Sequence, residues 1–168
     1  MNPLERNLDK ISQFAISKKD QNYRFRSFLK MQDSEKIDRI VHRLDREIRE
    51  QIDCTLCGNC CTELSPRLSN SEIDHLAQIE SISREEFVQK FVESDPVEGD
   101  YFLQGKPCKY LCEKKCSVYS NRPEDCKSYP HTHKKDFNTR ILGIIENYGI
   151  CPIVFNIFER LKLEMHFR

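Results

Sequence analysis

The sequence predicts a mainly helical protein with little β structure, built as a small helical domain. Apolar side chains recur at helical spacing in residues 3–17 and 35–52, and charged side chains cover the rest of the second stretch. Two capping-box patterns, beginning at Ser69 and Ser83, predict the first turns of two shorter helices. Residues 105–136 hold four cysteines and three prolines but few aliphatic side chains, so this segment cannot build a core of its own.

The second half of the chain adds one strand and two helices to this prediction. Residues 100–104 alternate loosely between apolar and polar side chains, which indicates a short strand. Apolar residues at 141–145 predict a helix that Gly149 ends. Pro152 suits the first turn of a last helix, because proline has no N–H to leave unpaired there.

Charge and hydropathy exclude several classes of protein. Lysine plus arginine and aspartate plus glutamate both number 27, so the formal net charge is +0, and we expect no nucleic-acid partner. We see no apolar signal segment and no run of about 18 apolar residues, so we expect no membrane association and a cytoplasmic location. The five glycines form no phosphate-binding loop.

Nine cysteines carry the strongest functional signal. Four of them lie in the stretch CTLCGNCC at 54–61, and the others are at positions 108, 112, 116, 126 and 151. In a reducing compartment such a set indicates metal or redox chemistry, and an odd number cannot pair completely within one chain. The spacing C-x2-C-x2-C lets one loop turn several thiolates toward a single iron–sulfur or zinc centre. Burial as a small apolar side chain is the alternative, and it suits Cys112 best.

The adjacent pair Cys60–Cys61 raises a geometric question. Side chains at successive positions of an extended chain point apart, so two neighbouring thiols rarely reach one tetrahedral ion. Either the two cysteines serve two different centres, or one is a ligand and the other supports it.

These residues resemble the zinc- or iron-chelating cysteine-cluster family (CxxCxxCC, YkgJ-like). The resemblance rests on CTLCGNCC, on CKYLCEKKCSVYSNRPEDCKSYP from residue 108, and on Cys151-Pro152. It covers about residues 54–152 and leaves residues 1–53 outside the motif. We expect a domain at 54–168 wrapped around a cysteine-rich metal centre, with residues 1–53 as a helical extension packed on that core. Cys112 lies outside the family pattern. The implied metal ligands are Cys54, Cys57, Cys60, Cys61, Cys108, Cys116, Cys126 and Cys151.

The resemblance implies a metal-binding protein and leaves the metal open between an iron–sulfur cluster and Zn²⁺. Its centre would be structural, chelating or redox in role. A related domain occurs in flagellin lysine methylases, so a metal-dependent enzyme, for example one that methylates protein, is the alternative. A protein partner stays open.

Eight thiolates are enough for two four-thiolate sites, each with a formal charge of about −2. Buried negative charge needs compensation. The basic residues beside the ligands are Lys109, Lys114, Lys115, Arg122 and Lys127. Arg122 precedes a proline, and its planar donors could also bond carbonyls or a carboxylate of the loop. His131 and His133 are further candidates, as ligands or as acid–base groups, with a surface location as the alternative.

Overall fold

The computed structural model describes residues 3–167 and is mainly α with little β, as the sequence predicts. Helices hold 56% of the residues and strands 7%, which confirms the predicted class. The helices are α1 (Leu8–Ser17), α2 (Lys19–Lys30), α3 (Ser34–Arg49), α4 (Asn59–Glu63), α5 (Asn70–Ile79), α6 (Arg84–Phe91), α7 (Glu124–Ser128), α8 (Ile141–Tyr148) and α9 (Pro152–Glu164). The strands are β1 (Arg67–Leu68), β2 (Val92–Ser94), β3 (Tyr101–Leu103), β4 (Leu111–Cys112) and β5 (Lys115–Cys116).

The chain forms two compact units. The first, here called the helical unit, combines residues 1–53 with residues 130–168, and the second, the cysteine unit, is Cys54–Tyr129. The sequence-based division into residues 1–53 and 54–168 stays a prediction.

Helix α9 is the core helix of the helical unit. Residues 152–158 are buried at every position, which is typical of a helix surrounded by other elements rather than one lying on a surface. Its Phe158 ring meets Phe25 edge-on, with centroids 5.2 Å apart, and lies 5.6 Å from the ring of Tyr148. The amide of buried Asn156 donates to the carbonyl of Glu5 at 2.7 Å and accepts the Glu5 N–H at 3.0 Å.

The pairing of Asn156 with Glu5 explains one correction to the sequence prediction. The helix expected over residues 3–17 begins only at Leu8, where the Asn7 side chain accepts the N–H of Lys10. Residues before Asn7 are not helical, because the backbone of Glu5 binds the Asn156 side chain instead of a helical partner. Asn7 is a favourable N-cap residue, since its side-chain oxygen accepts a hydrogen bond from an unpaired N–H of the first turn.

The cysteine unit combines short helices with two small sheets. Its antiparallel three-stranded sheet has the order β1-β3-β2, with Leu68 opposite Tyr101 and Val92 opposite Leu103. Strands β4 and β5 form a hairpin whose turn, Glu113-Lys114, has positive φ at both residues. The core consists of Leu68, Ile73, Leu76, Ala77, Phe87, Leu103 and Tyr110. Cys108 and Cys116 pack against this core.

The capping predictions at Ser69 and Ser83 differ in outcome. Ser69 forms a complete capping box, in which its side chain accepts the Glu72 N–H and Glu72 accepts the Ser69 N–H. The Ser83 side chain accepts the Glu86 N–H, but the Glu86 carboxylate pairs with Lys90 at 2.6 Å. Both helices therefore begin where the patterns predict, with different partners for the acidic residue.

In residues 3–167 no single helix has the length and apolar character needed to cross a membrane. Helices α8 and α9 reach that length and composition only as a pair, and the pair is bent by 116° between them.

Candidate metal centre

The stretch CTLCGNCC folds as a 3-10 turn at Cys54–Leu56, followed by Gly58 and the short helix α4. The Cys54 carbonyl accepts the N–H groups of Cys57 at 3.2 Å and of Gly58 at 3.4 Å, which closes the turn. Gly58 has φ +64, and a Cβ built on it would lie 2.7 Å from the carbonyl oxygen of Lys114. This glycine therefore lets the cysteine loop approach the turn of the β4–β5 hairpin, where any side chain would collide with backbone.

Replacing Gly58 by alanine is expected to destabilise the protein by about 2–3 kcal/mol, because the strained positive φ and the backbone collision both act against the folded state. The matched control is Gly99→Ala. Gly99 has a similar φ of +73 but nothing within 4 Å of its Cβ position, so the control reports the φ strain alone. Urea unfolding of the two variants measures the difference, and equal costs would show that the Gly58 contact with Lys114 carries no energy.

Four cysteines of the cysteine unit lie close enough to influence one another's protonation. Cys61 is on α4, Cys108 precedes β4, Cys116 is on β5 and Cys126 is on α7. The N–H of Cys108 donates to the carbonyl of Cys61 at 2.7 Å, which ties the two segments together. A charge on Cys61 acts on the thiols of Cys108, Cys116 and Cys126. These four thiols, which come from four separate segments, are here called the four-thiol site.

Acidic residues of the same unit hold the segment that carries Cys126. The carboxylate of Glu72, already part of the capping box, accepts the N–H of Glu124 at 2.6 Å. The Asp125 carboxylate accepts the N–H of Arg67 on β1 at 3.0 Å. These two bonds attach α7 to α5 and to the sheet, and so they hold Cys126 in position beside the other three thiols.

The four thiols differ in how readily they ionise. A hydrogen bond from Cys60 lowers the pKa of Cys61 to about 7, and the charge of Arg122 acts in the same direction. Burial raises the pKa of Cys126 to about 12, and the negative charges of Cys61 and Asp125 add to that effect. Burial likewise raises the pKa values of Cys108 and Cys116. Without a cation, one thiolate at Cys61 therefore opposes ionisation of its neighbours.

The remaining cysteines of the predicted ligand set are placed differently. Cys54 is exposed in the 3-10 turn, which packs beside β5, and Cys57 follows that turn and is half-buried. Cys60 precedes Cys61 on α4 and donates to it. Cys151 is buried at the N-cap of α9 and belongs to the helical unit. Within residues 3–167, no three His, Cys, Asp or Glu side chains already stand close enough together to hold a metal ion.

Cys112 and the two histidines also have definite places. The interpretation of Cys112 as a buried apolar side chain is wrong, because Cys112 is exposed on β4, opposite Lys115 in the hairpin. His131 and His133 belong to the helical unit, where burial and the Arg49 guanidinium lower the pKa of His133. Next to them, the buried carboxylate of Asp45 accepts two hydrogen bonds from Arg49 and one from Thr132.

The basic residues that could balance the negative charge of the thiolates differ in their bonding partners. The Lys109 ammonium pairs with Glu80 at 2.6 Å and lies 3.6 Å from the ring centroid of Phe91. Lys114, Lys115 and Lys127 are exposed. The expectation that Arg122 bonds carbonyls or a carboxylate is wrong for two of its nitrogens, because Nε and Nη1 are buried and have no hydrogen-bond partner in the described part of the chain. The burial of these atoms depends on tertiary packing, which sequence spacing alone does not reveal.

A family model described as "Putative zinc- or iron-chelating domain" (CxxCxxCC) matches residues 53–142. The match contains eight of the nine cysteines and ends before Cys151. No curated protein and no solved structure matches the chain.

Proposed function

Because the chain belongs to the CxxCxxCC family of zinc- or iron-chelating domains, we propose that its cysteine unit binds zinc or iron at the four-thiol site. The ligands are the thiolates of Cys61, Cys108, Cys116 and Cys126. The observation that carries this proposal is the convergence of four segments: the Cys108 N–H donates to the Cys61 carbonyl at 2.7 Å, and Cys108 and Cys116 pack against one core. The charges of these thiols also act on Cys126.

The donor set fits both metals that the family description names. Four thiolates are the common ligand set of structural zinc sites and of [4Fe–4S] clusters. Soft sulfur donors disfavour magnesium and calcium, which take oxygen ligands. Since the thiols have raised pKa values apart from Cys61, binding a cation must release protons from them, and the affinity for the metal should rise with pH.

The proposed role of the centre is structural, with chelation or electron transfer as further uses of the same ligands. Residues 105–129 contribute few aliphatic side chains to the core, and α4 and α7 are only five residues long. A metal bound by Cys61, Cys108, Cys116 and Cys126 cross-links these segments and supplies folding free energy that local packing does not.

The adjacent pair takes unequal roles in this proposal. Cys61 is the ligand, and Cys60 supports it through the hydrogen bond between their side chains. Cys54, Cys57, Cys60 and Cys151, which the sequence also predicts as ligands, then stand outside this centre. A second centre per chain would bring them back as ligands.

Purification of the full chain without oxygen, followed by measurement of zinc, iron and sulfide, tests the proposal. One metal centre per chain is expected, with sulfide and a brown colour if it is a cluster and a colourless protein if it is zinc. Two centres per chain would show that the four-thiol site is only half of the ligand set. A well-folded protein that contains neither zinc nor iron, and takes up neither, would contradict the proposal.

A further inference from the structure

Arg122 lies between two of the proposed ligands and has a fixed backbone. It follows the 3-10 turn at Tyr119–Asn121 and precedes Pro123, which restricts it to the extended conformation observed, φ −62 and ψ 149. Its guanidinium carbon lies 3.7 Å from the ring centroid of Tyr119. Stacking on an aromatic face holds the guanidinium plane in one orientation, and so its N–H groups point in defined directions.

Two of those N–H donors are buried without an acceptor. Nε and Nη1 of Arg122 have no hydrogen-bond partner in residues 3–167. Leaving a buried donor of a charged group unpaired is costly, because the donor loses its hydrogen bonds to water and forms none within the protein to replace them. The guanidinium nevertheless acts on the thiols of Cys61 and Cys116, where its charge opposes the effect of burial. The unpaired donors therefore belong to the surroundings of the four-thiol site.

We propose that the Nε–H and Nη1–H of Arg122 donate hydrogen bonds to the sulfur atoms of the loaded metal centre and balance its negative charge. This inference rests on the function proposed above. A zinc ion or a [4Fe–4S] cluster in its oxidised form, held by four thiolates, has a formal charge of about −2. Apart from Cys61, the ligands are thiols with raised pKa values in the metal-free protein, and they become thiolate acceptors for Arg122 when the metal binds.

The other basic residues near the ligands are less suited to this role. Lys109 is already paired with Glu80, and its ammonium lies over the Phe91 ring. The Lys127 side chain is 46% exposed, and the turn residue Lys114 is exposed as well. Water and salt screen the interactions of an exposed charge, whereas those of a buried charge are screened much less. Among these basic residues, we therefore expect the removal of Arg122 to lower the affinity for the metal most.

The test is a comparison of Arg122→Gln and Arg122→Lys in the full chain, titrated with Zn²⁺ against a chromophoric chelator. Glutamine keeps a donor but removes the charge, and we expect a loss of about 10- to 100-fold in zinc affinity, the range found for groups that support metal ligands. Lysine keeps the charge without the planar fork, so a smaller loss is expected. Partial rescue by lysine is a result that a purely structural role of Arg122 would not produce.

Thermal unfolding of the same proteins with and without Zn²⁺ supplies the control for folding. Arg122→Gln should lower the melting temperature of the zinc-loaded protein but leave that of the metal-free protein equal or higher, because it removes an uncompensated buried charge. Unchanged zinc affinity in Arg122→Gln, or an equal loss of stability with and without zinc, would overturn the inference and leave the proposed function intact. If the wild-type chain binds neither zinc nor iron, the proposed function fails and the inference fails with it.

Discussion

Cys126→Ser is expected to abolish tight metal binding. Cys126 is the most deeply buried thiol of the four-thiol site, and the hydrogen bonds of Glu72 and Asp125 hold its helix α7 in place. A serine hydroxyl is a hard, weakly acidic group and does not replace a thiolate at a soft-ligand site. Loss of a group that only supports a ligand costs about 10- to 100-fold in affinity, and loss of the ligand itself should cost at least the upper end of that range.

Cys112→Ser is the matched control for this substitution. Cys112 lies on the same hairpin as Cys116, but it is exposed and opposite Lys115. After anaerobic purification, elemental analysis should find as much metal in the Cys112→Ser variant as in the wild-type protein. The Cys126→Ser variant should be nearly metal-free. Equal losses in the two variants would mean that Cys112 is a ligand. Full retention of metal by Cys126→Ser would remove Cys126 from the site.

Cys57→Ser distinguishes one centre from two. Cys57 follows the 3-10 turn that packs beside β5 and is not a ligand of the proposed centre, so a single centre predicts that this variant keeps its metal. Two centres predict that it loses about half of the metal, since a second site would need ligands from the same turn. The variant also keeps Gly58 and its contact with Lys114, so any loss of metal cannot be attributed to that backbone contact.

The helices were predictable because their signals are local. Ser69 and Ser83 cap α5 and α6, and Gly149 ends α8, as the sequence patterns indicate. The start of α1 was not predictable, because it depends on Asn156, which lies 151 positions away from its partner Glu5. Long-range bonds of this kind leave no periodic signature in the sequence.

The candidate site was predictable in composition but not in arrangement. The cysteine spacing identifies the candidate ligands without showing which thiols converge, and the choice of Cys61 for the proposed centre depends on the fold. The reason is physical: α4 turns successive side chains by about 100°, so one member of an adjacent pair faces a given partner and the other does not. The unpaired nitrogens of Arg122 are likewise a product of tertiary packing.

Glu159→Gln is expected to destabilise the helical unit by about 3 kcal/mol, the cost of removing one partner from a buried ion pair. The Lys162 side chain is only 5% exposed, and its ammonium lies 2.6 Å from Glu159 Oε1 and 2.6 Å from Asn22 Oδ1. After the substitution, the side-chain oxygens around the Lys162 ammonium belong to amides, and no carboxylate pairs with it. Denaturant unfolding of the full chain measures the loss, and Glu35→Gln, at an exposed pair on α3, should change stability by less than about 0.5 kcal/mol.

Lys162→Met should cost less than Glu159→Gln, because the two partners are supported unequally. Without Lys162, the Glu159 carboxylate still pairs with Lys18 and accepts the Tyr148 hydroxyl at 2.8 Å.

Burial alone would raise the pKa of Glu159, but the hydrogen bonds from Lys162 and Lys18 outweigh it and hold the pKa below its ordinary value of 4.5. The stability that Glu159 contributes is therefore complete above pH 4.5 and is lost as the pH falls through the lower pKa of the folded state. The difference in unfolding free energy between wild type and Glu159→Gln should shrink over that acid range, and a difference that is independent of pH would show that the charge of Glu159 is not what stabilises the unit.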